Sequence, residues 1–331
     1  MKSNGKPASR IAGMGWFAPD KILTNTDLER MVDTSDEWIT TRTGIKRRHI
    51  VEPGTRASEL ATPAARSAMD EAGVNPEDID MILVATVTGD YKFPSTAIFL
   101  QANLGAKNAV AMDISAACAG YLYTLHFADM MIRSGQAKTV LVVGVEVLTS
   151  MINWKDRSTC VLFGDAAGAA VVVPSADNRG ILASYLGTDG SLADLLNCPG
   201  GGSAYPAMNR EIPMEDFTIH MKGNEVFKHA VKKMGDAAVI ALDLAGIEKN
   251  DIDLLFAHQA NMRIIDATAK RLKVPQKKVF KNIQEYGNTS TASIPLAMGE
   301  ARQKGLITDD SVVVCVAFGG GFTWASSVIR F

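Results

Sequence analysis

The sequence predicts an α/β fold made of two pseudo-symmetric halves, and two observations carry that prediction. The first is an internal repeat. Residues 68–85 and 241–258 share seven identical positions, most others are conservative, and both run helix, glycine cap, turn, strand. The second is the alternation of helical patterns with apolar strands at 81–88, 109–114, 140–147, 254–258 and 312–318. Such runs suit sheets covered by helices on both faces. The match extends further: Arg133-Ser134-Gly135 and strand 139–144 correspond to Gln303-Lys304-Gly305 and strand 311–317 with two residues inserted, and 169–173 corresponds to 326–330. The expected division is an N-terminal half over 1–177 and a C-terminal half over 178–331.

Along the chain, residues 1–9 are polar and lack the apolar run of a signal peptide. Strand 10–15 opens the first half, and 180–187 resembles it as the opening strand of the second. Gly13-Met14-Gly15-Trp16-Phe17-Ala18 fits the GxGxxA pattern of dinucleotide-binding oxidoreductases. That fingerprint requires a helix to start there and meet pyrophosphate. Pro19-Asp20 follows at once with no helical period, which rejects the oxidoreductase reading. Strand 109–114 leads through Asp113-Ile114-Ser115-Ala116-Ala117-Cys118-Ala119-Gly120 into a helical pattern over 121–134. The glycine-rich stretch 199–213 reads as an irregular surface excursion of the second half.

Composition bounds the function. A chain of 331 residues, 47% hydrophobic, buries either one large core or two fused half-cores. A net charge of −2 gives no general reason to expect nucleic acid or a membrane as partner. Cys118, Cys160, Cys198 and Cys315 form no CxxC pair, which argues against a disulfide framework or a metal site. No apolar stretch reaches the length of a membrane span. A protein of a reducing, cytoplasmic compartment is expected.

The chemistry lies at strand-to-helix junctions, where α/β sheets place their sites. Cys118 sits at the start of a helix, where backbone N–H groups and the helix dipole favour thiolate over thiol. His258 ends a second-half strand, in the slot that Ala85 fills in the first half. Asn288, in Tyr286-Gly287-Asn288-Thr289-Ser290, precedes Gly305 by as many residues as Cys118 precedes Gly135, so the repeat is expected to give these two equivalent slots. Three such residues can converge on one cleft between the halves.

Asp113–Gly120, His258-Gln259-Ala260-Asn261, Gly287-Asn288-Thr289-Ser290 and the closing Phe318-Gly319-Gly320-Gly321-Phe322-Thr323-Trp324 together resemble the β-ketoacyl-acyl-carrier-protein synthase III family of the thiolase superfamily. The resemblance runs in order from about residue 10 to Phe331. It implies a thiolase-like, layered α-β-α-β-α architecture. It also implies a homodimeric acyltransferase that starts fatty acid synthesis. In that reaction a short acyl-CoA, acetyl-CoA by expectation, condenses with malonyl-acyl-carrier protein through an acyl-cysteine, with loss of CO₂. No cofactor or metal is expected beyond the CoA thioester, which is a substrate.

The resemblance assigns Cys118 as nucleophile, His258 and Asn288 as hydrogen-bond donors to the condensing thioester, and the Cys118 and Gly320 N–H groups as the oxyanion hole. Uncharged donors suit a developing enolate, which a carboxylate would oppose. CoA contacts are expected at Thr34, Trp38, Arg42 and Arg157, with Trp38 and Arg157 stacking on adenine, while Gly223, Phe227 and Asn261 line the pantetheine channel. Lys228, Arg263, Lys270 and Arg271 are the expected docking cations for an acidic carrier protein. Phe93 is expected to cap the acyl pocket of the other subunit and hold it to short primers. His49, His126, His220 and His229 read as structural. Two rival readings are a thiolase-fold enzyme of secondary metabolism using a non-carrier acceptor, and a non-catalytic paralogue. Intact Cys118, His258 and Asn288 argue against the second.

Overall fold

The computed structural model describes residues 8–208 and 211–331. Most of the polar start and residues 209–210 of the glycine-rich excursion therefore lie outside the described residues. Nine strands form two sheets: β1 (Ser9–Phe17), β2 (Met81–Ala85), β3 (Val110–Ile114), β4 (Val140–Glu146) and β5 (Ala166–Pro174), then β6 (Gly180–Thr188), β7 (Leu254–Ala257), β8 (Val312–Gly319) and β9 (Thr323–Arg330). The first sheet has the order β1-β5-β4-β2-β3 and the second β7-β8-β9-β6. In the first, β3, β2 and β4 are parallel, β5 runs antiparallel to β4, and β1 runs antiparallel to β5. The second repeats this pattern with β7 and β8 parallel, then β9 and β6 antiparallel. The counterpart of β3 is reduced to one parallel bridge between Leu255 and Val279.

The strands are apolar throughout because both faces are covered, and alternate residues serve different layers. On β4, Val140 and Val142 face the middle of the molecule, whereas Leu141, Val143 and Val145 pack outward. On β8, Val313, Cys315 and Ala317 face inward and Val312, Val314 and Val316 outward. The middle layer is a pair of helices, α4 (Gly120–Arg133) and α7 (Ser293–Gln303), whose Leu122, Leu125, Ile294 and Met298 join the inner faces of both sheets. Outside the first sheet lie α2 (Ala57–Ala72) and α3 (Thr96–Leu104), the latter following α1 (Asp36–Thr43) and α2 in the chain. Outside the second lie α5 (Gly223–Ala245) and α6 (Met262–Leu272). The result is the α-β-α-β-α layering.

Gly13 and Gly15 lie within β1. A Cβ on either would sit 2.3 Å and 2.1 Å from carbonyl oxygens of Ala68 and Ala64 on α2, so these glycines let helix and strand touch.

The repeat corrects one expectation. The offset of 173 residues that relates 68–85 to 241–258 carries Ala117 to Ser290, and both adopt left-handed backbone, with φ of 45° and 49°. Each opens a single 3₁₀ turn, at Ala117–Ala119 and Ser290–Ala292, that runs directly into α4 or α7. The counterpart of Cys118 is therefore Thr291, not Asn288. The reason is that α7 has 11 residues against 14 in α4, so counting back from the capping glycines misplaces the register. Thr291 Oγ1 accepts the Tyr121 N–H at 2.7 Å, locking the two central helices together.

Candidate active site

The carboxyl ends of the parallel strands open into a cavity of about 490 Å³. Its walls include Cys118, His258, Asn288 and Gly320, along with Trp38, Arg42, Gly223, Phe227, Asn261 and Arg263. Thr34, Phe93, Arg157, Lys228, Lys270 and Arg271 lie outside this lining.

Cys118 sits in the 3₁₀ turn between β3 and α4, partly exposed to the cavity. Gly319 makes that position possible: a Cβ there would lie 2.5 Å from the Cys118 nitrogen. The glycine run at the end of β8 thus presses against the cysteine backbone, with Gly320 beside it in the wall. Asp113 of the cysteine motif accepts the N–H groups of Thr96 and Ala97 at 2.7 and 2.8 Å, capping α3 and tying the Phe93 loop to β3.

His258 extends β7, its N–H donating to the Val316 carbonyl at 2.8 Å, and is almost fully buried. Its Nδ1 is 2.6 Å from the Ser293 hydroxyl. With that hydroxyl donating to Nδ1, Nε2 carries the ring proton. Burial pushes the imidazole pKa down to about 3, so the ring is neutral at any working pH.

Asn288 is clamped by the first half: its N–H donates to the Leu162 carbonyl (2.8 Å) and its carbonyl accepts from Gly164 (3.1 Å). Its side-chain Oδ1 accepts the Ser290 N–H at 2.9 Å, leaving the NH₂ group for the cavity. In the HQAN segment, the Gln259 carboxamide binds the Asn282 and Ile283 N–H groups. Asn261 caps α6 through the Arg263 N–H (2.9 Å) and donates to the Arg42 carbonyl (3.0 Å).

The ionisation of Cys118 differs from the sequence expectation. Burial pushes the thiol up to about 11, the nearby Glu146 carboxylate adds to that rise, and a hydrogen bond from Ser290 partly offsets it. A helix start contributes only about 0.3–1 kcal/mol, which withdrawal of the sulfur from water outweighs. Cys118 therefore rests as a thiol.

At the rim, the guanidinium groups of Arg42 and Arg157 stand 4.9 and 5.1 Å from the Trp38 ring centre, and Arg157 also donates to the Asp33 carbonyl at 2.6 Å. Thr34 lies in the turn before α1 with its hydroxyl buried. Phe93 is 85% exposed, far more than any packed aromatic. Among the expected docking cations, Lys228 pairs with Glu225 (2.9 Å) and Arg271 with Asp236, while Arg263 lies over Phe227. These ion pairs reduce the charge that Lys228 and Arg271 present.

Sequence reasoning missed Ser290, Ser293 and Glu146, and the contribution of Leu196, Asn197, Cys198, Ile219 and Met221, which flank the glycine-rich excursion and line the cavity. Ser290 closes the GNTS motif and Ser293 starts the helix that follows, which was the available signal. Glu146 had none, being joined to the site only by the fold. Among the described residues no helix is long and apolar enough to cross a membrane.

Family models described as 3-oxoacyl-[acyl-carrier-protein (ACP)] synthase III and its C-terminal portion match residues 112–190 and 242–331. A β-ketoacyl-[acyl-carrier-protein] synthase III of Caldanaerobacter subterraneus subsp. tengcongensis is 54% identical over 326 residues, covering 98% of each chain. That of Symbiobacterium thermophilum is 51% identical over 321 residues, covering 97% of each. The crystal structure of 3-oxoacyl-[acyl-carrier-protein] synthase III from Aquifex aeolicus superposes with a TM-score of 0.91 at 47% identity, covering 98% of this chain and all of that one.

Proposed function

The chain belongs to the β-ketoacyl-acyl-carrier-protein synthase III family, condensing acyltransferases that initiate fatty acid synthesis, and from that premise we propose how its residues share the reaction. Cys118 attacks the thioester carbon of a short acyl-CoA. The C–S bond to CoA breaks, CoA leaves as its thiol, and the acyl group remains on Cys118. The N–H groups of Cys118 and Gly320 hold the tetrahedral oxyanion. Malonyl-acyl-carrier protein then enters and loses CO₂. His258 Nε2–H and the Asn288 NH₂ donate to its thioester oxygen as the enolate develops. The resulting carbanion attacks the acyl-cysteine, yielding 3-ketoacyl-acyl-carrier protein and the regenerated cysteine.

The observation that carries this reading is that the sulfur shares one cavity with two uncharged donors, an imidazole held neutral by burial and an amide whose oxygen is already occupied. Neutral donors stabilise an enolate without first requiring a proton transfer. CoA enters past Trp38, whose ring both arginines already flank, so adenine replaces a guanidinium in an existing stack. Arg42 meets a CoA phosphate, Thr34 contacts the nucleotide from its turn, and Gly223, Phe227 and Asn261 line the pantetheine path. Arg263 and Lys270 lead carrier-protein docking, with Lys228 and Arg271 contributing less because of their acidic partners. The functional test supplies acetyl-, butyryl- and octanoyl-CoA, each with malonyl-carrier protein. Acetyl-CoA should give 3-ketoacyl-carrier product fastest and octanoyl-CoA slowest. Product only with a non-carrier acceptor would overturn the assignment in favour of the secondary-metabolism reading.

The two halves, 1–177 and 178–331, are read as duplicated units; every strand of the first sheet lies before Ser175 and every strand of the second after Arg179. The partner is a second copy of this chain. β3 is the outer strand of its sheet, yet Val110 and Met112 on it are exposed, and beside them are exposed Ile98, Phe127 and Met130. A bare apolar edge of this kind invites pairing with another sheet. Pairing there carries the exposed Phe93 toward the partner's acyl pocket. Val110→Lys with Met112→Lys should convert a dimer to a monomer in sedimentation velocity and lower turnover at least tenfold. A wild-type protein that sediments as a monomer at micromolar concentration would contradict the assignment.

A further inference from the structure

We propose that Arg48 is a positioning residue for both half-reactions: one buried guanidinium holds the two sides of the CoA nucleotide clamp together and fixes the segment that grips Asn288. The inference rests on the roles proposed above for Trp38, Arg157 and Asn288. Arg48 lies in the short strand Arg47–His49, paired antiparallel with Ile22–Thr24, and it is fully buried. Its hydrogen bonds all go to neutral acceptors. Nη1 donates to Asn25 Oδ1 at 2.9 Å and to the Leu23 carbonyl at 3.2 Å, while Nη2 donates to the Val161 carbonyl at 2.6 Å. Among the described residues no carboxylate pairs with it, and its Nε has no partner. Burial pushes the guanidinium down to about 10, so it stays charged at neutral pH. A cation withdrawn from water without a counter-charge lowers stability. What the planar fork contributes is direction, since its two end nitrogens serve acceptors on separate segments.

One branch leads to the nucleotide clamp. The Asn25 side-chain NH₂ donates to Asp36 Oδ1 and to the Ile45 carbonyl, both at 2.8 Å. Asp36 opens α1 and Ile45 follows its capping glycine, so Asn25 holds the helix carrying Trp38 and Arg42 at both ends. The other branch leads to the far side of that clamp and to the catalytic amide. Val161 directly follows the turn Arg157–Cys160, which presents Arg157. Leu162, next in the chain, accepts the Asn288 N–H, and Gly164 donates to the Asn288 carbonyl. The Arg48 stem also packs on this grip: a Cβ on Gly164 or Gly287 would lie 3.1 or 3.3 Å from Arg48 Cβ. Val161, Leu162 and Phe163 line the cavity, whereas Arg48 does not, so it acts through the groups it holds.

The two branches have separable consequences. The clamp binds a part of acyl-CoA remote from the thioester, so loosening it weakens capture of acetyl-CoA and leaves a donor without a nucleotide unaffected. The grip on Asn288 matters when the enolate develops, where a misplacement of about 1 Å slows reaction on the order of 10²-fold.

The test compares wild type, Arg48→Lys and Asn25→Ala, with near-UV circular dichroism as the folding control. Lysine keeps the charge and loses the fork. Acylation of Cys118 is followed by intact mass against the concentration of acetyl-CoA or of acetyl-pantetheine, which lacks the nucleotide. Condensation is followed after adding malonyl-carrier protein to preformed acetyl-enzyme. Arg48→Lys should raise the KM for acetyl-CoA about tenfold, leave acylation by acetyl-pantetheine within about twofold of wild type, and slow condensation about tenfold. Combined with Asn288→Ala it should slow condensation no further, because the group it positions is gone. Asn25→Ala breaks only the branch to α1, so it should raise the KM for acetyl-CoA and condense at the wild-type rate. It carries the test if Arg48→Lys does not fold. A residue that merely stabilises the fold predicts equal losses with both acyl donors, and condensation losses that multiply with those of Asn288→Ala. Either result overturns the proposal. So does wild-type behaviour of Arg48→Lys in either half-reaction, or an unchanged KM or slowed condensation in Asn25→Ala. Wild type and Asn288→Ala alone read the underlying roles separately. If wild type takes acetyl-pantetheine as readily as acetyl-CoA, or Asn288→Ala condenses normally, those roles fail and this inference falls with them.

Discussion

Cys118→Ser is expected to be folded and dimeric yet to take no acetyl group from acetyl-CoA, with turnover lowered on the order of 10⁴-fold or more. The effect is large because this cavity does little to activate an oxygen nucleophile. Burial already holds the thiol at about 11, and a hydroxyl in the same place ionises far less readily. His258, pushed down to about 3, is a poor proton acceptor and cannot compensate. Steady-state turnover and the intact mass after exposure to acetyl-CoA check this, with near-UV circular dichroism as the folding control. A serine variant that is acylated at a rate within tenfold of wild type would show that the attacking group lies elsewhere.

Asn288→Ala is expected to separate the two half-reactions. Acetylation of Cys118 should stay within a few-fold of wild type, while condensation with malonyl-carrier protein falls about 10²–10³-fold, equivalent to roughly 3–4 kcal/mol of lost enolate stabilisation. The expected separation follows from the proposed role: the Asn288 oxygen is engaged by the Ser290 N–H, which leaves its NH₂ group to donate to the second substrate in the proposed condensation. Alanine also leaves that N–H without its acceptor, at a cost of about 1–3 kcal/mol in stability. Asn288→Asp resolves the two effects, since it keeps the acceptor and replaces the donor with a negative charge. It should acylate and fail to condense. Rapid-quench measurement of each half-reaction decides the matter, and an Asp variant that condenses at the wild-type rate would remove Asn288 from its role.

Much of the architecture was legible because duplication writes it twice. The 173-residue offset placed His258 at the end of a parallel strand, opposite the Ala85 slot, and the strand ladder bears out that position. The same offset already pointed from Cys118 to Thr291; counting from the capping glycines obscured it because the second central helix is a turn shorter. Asn288 enters the cavity for a different reason, its backbone being pinned to Leu162 and Gly164 of the other half. Such a pairing between distant segments leaves no periodic trace. Cys118 illustrates a competition of effects: the helix start is local and readable, whereas the desolvation that overrides it comes from cavity walls assembled from remote segments, with the Glu146 charge adding to the rise. The cations show the same limit. Lys228 and Arg271 look like an exposed basic patch in sequence, and only the fold brings Asp236 to Arg271.

The most direct test follows one acetyl group through a single turnover. Protein treated with acetyl-CoA and freed of excess substrate should carry one acetyl, and peptide mapping should place it on Cys118. Adding malonyl-carrier protein should clear that label with release of one equivalent of CO₂ and appearance of one equivalent of 3-ketoacyl-carrier protein. A label on Cys160, Cys198 or Cys315, or one on Cys118 that survives the malonylated carrier, would contradict the shared-cavity mechanism.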